Sequence, residues 1–186
     1  MKERVYIFID GSNFYHQLIK LLGHSKLGNY ADFLEGLMNK SQELVGATYY
    51  IGKINPNTGK TKKEKQVSQE LADKQDKFLK WLKECGIEYK LGYFQTDGKT
   101  EKGVDVKIAV DMIKLAYENK YDTAFLMSGD GDLVDAVDLV NELGKKIYNL
   151  IFYKYKKPSF SYRLRRACDK YFYINKQIED FIKKSK

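Results

Sequence analysis

The chain has 186 residues, 43% hydrophobic and 31% charged, with a formal net charge of +8. That length suits one domain with a sizeable core, so residues 1–186 are read as a single unit. No apolar run reaches the roughly 18 residues a membrane span needs, and the start, MKERVYIFID, turns polar at Asp10 without the small-residue cleavage site of a secretory leader.

RVYIFID (residues 4–10) is β-branched and aromatic, which predicts a buried strand ending at Asp10. GSNFYHQLIKLLG predicts a turn and helix with Phe14 and Leu18 on one face and Gly23 as the stop. A short helix follows around Tyr30 to Lys40, then a second strand, ELVGATYYIGKI (43–54). A basic loop (55–66) leads into a long helix to about Cys85, stopped by Gly86. IEYKLGYFQTD (87–97) alternates and predicts a third strand, and GKTEKG (98–103) a loop. Residues 104–120 predict a helix with Val104, Ile108, Met112 and Leu115 inward. YDTAFLMSG predicts a fourth strand, GDLVDAVDLVNELG a helix and KKIYNLIFY a fifth strand. The tail from Pro158 reads as a basic helical segment, a short YFYI strand and a charged helix.

Strands alternating with helices predict an α/β fold: a parallel sheet of about five to six strands with helices on both faces. In such sheets ligands bind beyond the carboxyl ends of the strands, where strand order reverses. If the first and fourth predicted strands are neighbours across that point, Asp10, Asp130 and Asp132 converge there. Asp105, in the first turn of its helix, is expected at the same edge. Crowded carboxylates call for a hard cation, and Mg²⁺ or Mn²⁺ takes carboxylate oxygens while retaining waters. Asn13, one turn beyond Asp10, is placed to orient a water or a phosphate oxygen.

The charge is unevenly placed. From Lys145 to the end there are 13 basic and 3 acidic residues, against 20 and 22 before it. A basic segment attracts polyanions through phosphate contacts. In residues 153–166, Tyr153, Tyr155, Phe160 and Tyr162 interleave with Lys154, Lys156, Lys157, Arg163, Arg165 and Arg166, a mixture suited to single-stranded nucleic acid and equally to a strand and its packing. NPNTGKT is not a phosphate-binding P-loop, since six residues rather than four separate Gly52 from Gly59. Its lysines, Lys60, Lys62, Lys63 and Lys65, suit an RNA backbone or a solvated loop. With two cysteines and two histidines, none in metal-type spacing, a zinc site is not expected. The cysteine usage suits a reducing, cytoplasmic setting. His16 and His24 are read as surface or helix-end residues.

DGSN after the first strand, KGVDVKIAVDM at a helix start and SGDGDL after the fourth strand resemble the three signature blocks of the NYN domain family, within the PIN-like nuclease superfamily. SYRLRRACDKYF is similar to the family's closing segment. The resemblance spans nearly the whole chain in the expected order. It implies a Rossmann-like, PIN-like sheet and a metal-dependent endoribonuclease that hydrolyses phosphodiester bonds of single-stranded RNA. Carried over residue by residue, the catalytic and metal-binding acids are Asp10, Asp105, Asp130 and Asp132. Asn13, Lys102, Ser128 and Ser161 match the polar positions around them. Asp111 also matches the helix block and is read as a supporting or surface residue. One departure stands out: Leu133-Val134-Asp135-Ala136 replaces the family's Phe-x-Pro-Leu. None of the acids is lost.

Other readings stay open. Asp130 and Asp132 also suit a turn and helix cap, and Asp105 suits the positive end of a helix dipole. A non-catalytic RNA- or protein-binding module would keep the same fold, and a homo-oligomer is compatible with everything above. A small-molecule phosphohydrolase built on Asp10 would need a second acid two residues later, where Ser12 stands.

Overall fold

Strand β1 (Glu3–Asp10) is the spine of the molecule. Its alternation sends Val5, Ile7 and Ile9 to one face of the sheet and Phe8 to the other, all fully buried. The structure, a computed structural model, describes residues 1–23, 27–56, 58–95, 101–154, 157–158 and 161–184. From β1 the chain runs through α1 (Gly11–Leu22), α2 (Tyr30–Glu35), β2 (Gln42–Lys53), α3 (Lys62–Glu84), β3 (Glu88–Phe94), β4 (Glu101–Lys102) and α4 (Val104–Tyr117). β5 (Thr123–Met127), a single 3-10 turn (Gly131–Leu133), α5 (Val134–Glu142) and β6 (Lys146–Ile151) follow. A small antiparallel hairpin, β7 (Tyr153–Lys154) and β8 (Lys157–Pro158), precedes α6 (Tyr162–Ala167), β9 (Lys170–Tyr173) and α7 (Asn175–Lys184).

Among the described residues the main sheet has seven strands in the order β4-β3-β2-β1-β5-β6-β9. That is one or two more than the five to six expected. β4 accounts for part of the difference: Glu101 and Lys102 lie in the stretch read as a loop, yet they pair antiparallel with Phe94 and Tyr93. The other pairings in this sheet are parallel. β1 lies between β2 and β5, so strand order reverses there and the switch point falls at Asp10.

Two hydrophobic layers sandwich the sheet. One packs Phe14, Leu18, Tyr30, Phe33, Leu79 and Leu82 against Ile7, Ile9 and Tyr49, joined by Ile178 of α7. The other packs Val104, Ile108 and Met112 of α4 and Val137 and Val140 of α5 against Phe8, Tyr50 and Leu126. Leu115 is only half-buried. α3 opens with a capping box: the Thr61 hydroxyl accepts from the Glu64 N–H while the Glu64 carboxylate accepts from the Thr61 N–H. The short second helix ends at Glu35 rather than near Lys40, because Gly36 and the turn after it break the period.

Candidate functional site

Asp10 is the last residue of β1 and the N-cap of α1. One carboxylate oxygen accepts the Asn13 N–H at 3.0 Å, and the other accepts the Ser128 hydroxyl at 2.9 Å. Only 7% of Asp10 is exposed. Burial pushes its carboxyl up from the ordinary 3.8 to about 6; the two hydrogen bonds oppose this, and the charges of Asp105 and Glu101 reinforce it.

Ser128 follows β5 directly and ties the third sequence block to the first. Its oxygen accepts the Asp130 N–H at 3.1 Å, and Asp130 Oδ1 accepts the Asp132 N–H at 2.9 Å. Asp130 therefore caps the 3-10 turn, as a purely structural reading allows, and still stands beside the site. The strand end is braced from β6: Asn149 Nδ2 donates to the Leu126 and Ser128 carbonyls at 3.1 and 2.8 Å. Asn149 is fully buried, and its Oδ1 has no partner among the described residues.

Asp105 stands in the first turn of α4, half-buried. Its carboxyl is held above the usual range by burial first, then by the charges of Asp130, Glu101 and Asp132. Asp105 thus joins the acids of three segments, the end of β1, the start of α4 and the turn after β5, since its charge also acts on Asp10. Among the described residues none of them pairs with a Lys or Arg within salt-bridge distance. Nor do any three His, Cys, Asp or Glu side chains close into a ready-made metal cage among those residues.

The supporting residues divide. Ser128 and Asn13 touch Asp10, Asn13 through its backbone N–H. Ser161 touches the acid loop indirectly: its N–H donates to the Gly129 carbonyl at 2.8 Å, docking α6 against the turn. The approach is close: a Cβ on Gly131 would lie 2.7 Å from Ser161 Oγ, and the hydroxyl would have to turn aside. Lys102 is exposed on β4 and makes no ion pair with the acids among the described residues. Asp111 is not a surface residue. It is 7% exposed and accepts from the Tyr50 hydroxyl and from Lys90 Nζ, both at 2.7 Å. It fastens α4 to β2 and β3.

One acid was missed. Glu101 of β4 accepts the Ser12 hydroxyl on one oxygen and the Gly52 N–H on the other. It thereby links the entrance of α4 to α1 and β2, and its charge raises both Asp10 and Asp105. Close packing brings it there: Gly92 on β3 faces the Lys102 carbonyl, which would be 2.6 Å from any Cβ. The only sequence cue was its place beside the KGVD block; its partners lie 89 and 49 residues away.

The basic tail is partly described. Tyr162 is 66% exposed, with the Arg166 guanidinium 5.9 Å from its ring centre. Arg165 stacks on Tyr171 at 3.9 Å. Arg163 and Lys170 are exposed, as is His16. Tyr155, Lys156, Phe160 and His24 lie outside the described residues. Among the described residues no helix is long and apolar enough to cross a membrane.

Comparison with known proteins agrees with this fold. The NYN domain model matches residues 4–175. The Low amplitude and bright protein LabA of Synechococcus elongatus is 29% identical over 188 residues, covering 98% of this chain and 89% of that protein. A crystal structure of a protein of unknown function from Vibrio parahaemolyticus superposes with a TM-score of 0.67 at 23% identity, covering 95% of both chains, and so shares the fold. With the model matched from β1 into α7, the chain belongs to the NYN domain family, on a PIN-like, nuclease-type fold.

Proposed function

We propose that this protein is a divalent-cation-dependent endoribonuclease acting on single-stranded RNA. The observation that carries the reading is the set of acids at the switch point. Asp105 lies within electrostatic reach of Asp10, Asp130 and Asp132, Asp10 and Asp105 have raised pKa values, and none of the four has a basic partner among the described residues. An all-oxygen donor set of this kind fits Mg²⁺ or Mn²⁺. Bound by these four acids, the ion would supply Lewis-acid polarisation of a phosphodiester and a water of lowered pKa.

The chain's own residues do the rest. Ser128 and the Asn13 N–H fix the plane of the Asp10 carboxylate. The Asp130 side chain holds the turn that presents Asp132, which is exposed. The N-terminal amides of α4, beside Asp105, favour an anionic phosphate. Arg163, Arg166 and exposed Tyr162 on α6, docked against the same turn, suit an RNA backbone and an unstacked base.

One observation favours the alternative of an RNA-binding module that does not cut: both oxygens of Asp10 already accept hydrogen bonds. Incubating the protein with labelled single-stranded RNA and Mg²⁺ or Mn²⁺ separates the two. The nuclease reading expects cleavage that EDTA and Asp130→Asn both abolish. RNA that is shifted in a gel but stays intact supports the binding module, and RNA neither shifted nor cut overturns both.

A further inference from the structure

The outer faces of α4 and α5 leave apolar side chains in solvent. Val106, Val110, Ile113 and Tyr117 recur at intervals of three and four, which aligns them in one stripe along α4. Val106 is 65% exposed, Val110 55% and Tyr117 81%. Leu139 on α5 and Leu143 at its C-cap, also exposed, form the far wall of a groove with Val110, Ile113 and Tyr117. Contiguous exposed apolar patches on soluble proteins often serve binding.

The charges beside the groove are sorted by sign. Helical spacing puts Lys107 on the α4 flank away from α5, and Lys114, on the same side of the stripe, lines the groove. The same reasoning puts Asp135, Asp138 and Glu142 on the outer flank of α5. All five are exposed, and Lys114 also comes within 3.8 Å of Glu118. One surface therefore runs from a basic edge across an apolar centre to an acidic edge.

We propose that this face pairs with the same face of a second copy of the chain. A two-fold axis lying in the interface and running along the helices places α4 of each copy on α5 of the other. Lys107 and Lys114 then meet Asp135 and Glu142 on both sides of the axis. The other two-fold arrangement, α4 on α4, would set lysine against lysine. A two-fold interface must be self-complementary, and this surface carries both halves of its own charge pattern, which selects a second copy over an unrelated protein. The apolar centre supplies affinity, and the charged edges set register and partner choice. The inference is independent of the nuclease reading.

Sedimentation equilibrium on the full chain, from low to high micromolar concentration, tests it. The expected mass rises to twice the 21.7 kDa of one chain. Val110→Glu combined with Tyr117→Glu returns the single-chain mass at every concentration, with an unchanged melting curve as evidence of folding. Lys107→Glu with Lys114→Glu weakens the dimer at least tenfold, and adding Asp135→Lys with Glu142→Lys restores it. A wild-type chain that stays at 21.7 kDa throughout overturns the proposal and leaves the groove to a different partner. A dimer that survives Val110→Glu with Tyr117→Glu, or a charge reversal that the compensating reversal fails to rescue, also overturns it.

Discussion

Replacing Asp10 by Asn should make the metal-free protein more stable at neutral pH. Asp10 is 7% exposed, and its carboxyl is raised from 3.8 to about 6. A raised acid favours its protonated form in the folded state, so folding takes up protons between about pH 4 and 6. Stability from this group is therefore greatest below the unfolded value of 3.8 and is lost as pH rises through about 6. At about 1.4 kcal/mol per pH unit, the ionised group costs the fold about 3 kcal/mol at pH 7.5 and about half that at pH 5. Asn is close in shape, carries no charge and still accepts the Asn13 N–H. Urea unfolding of the wild type and Asp10→Asn at both pH values in EDTA is the assay. The expected result is a stabilised variant whose advantage at pH 7.5 roughly halves at pH 5. A destabilised variant, or an advantage independent of pH, would refute the reasoning that Asp10 is a strained, buried charge awaiting a counter-ion.

Glu101→Gln keeps the size of the side chain and removes the charge that Ser12 and the Gly52 N–H share. Cleavage of labelled RNA should fall by about 10–100-fold, the range for residues that orient metal-binding groups. Unchanged cleavage would show that the bridge is structural only. Gly92→Ala drives a Cβ to 2.6 Å from the Lys102 carbonyl, and relief requires β4 and the start of α4, with Asp105, to move. Cleavage should drop at least tenfold, and thermal unfolding should show a loss of about 1–3 kcal/mol. Asp122 is held down to about 2 by its hydrogen bonds and ion pair with Arg4, which lies 2.7 Å away. That stability is present above the ordinary carboxylate range and is lost as pH falls towards 2. Because the Asp122 side chain is 41% exposed, Asp122→Asn should cost only about 1 kcal/mol or less at pH 7 and nothing near pH 2, as urea titrations at the two pH values will show.

The places of Asp10, Asp130 and Asp132 were legible because each follows a strand signal. TAFLM is a wholly buried run, so the carboxylates just after it had to stand at a strand end. RVYIFID placed Asp10 by the same logic, and alternation of strands and helices brought the two ends together. What escaped the sequence depends on long-range partners. Glu101 sits in a two-residue strand with no period to detect, and its site role comes from groups 89 and 49 residues away. Asp111 read as supporting or surface because charge normally faces water. It is buried because Tyr50 and Lys90 satisfy it, and nothing near it in sequence announces them. Asn149 is similar: an Asn amid the apolar run of β6 braces the Ser128 carbonyl from the next strand.

The central claim is that Asp10, Asp105, Asp130 and Asp132 form a cation site. Mn²⁺ titration followed by electron paramagnetic resonance tests it without reference to turnover. The account predicts saturable binding to the wild type, displaced by Mg²⁺, and weakened at least tenfold in Asp105→Asn and in Asp130→Asn while both variants keep the wild-type melting curve in EDTA. Mn²⁺ that stays free in the presence of the wild type, or binds the two variants as tightly as the wild type, would contradict it.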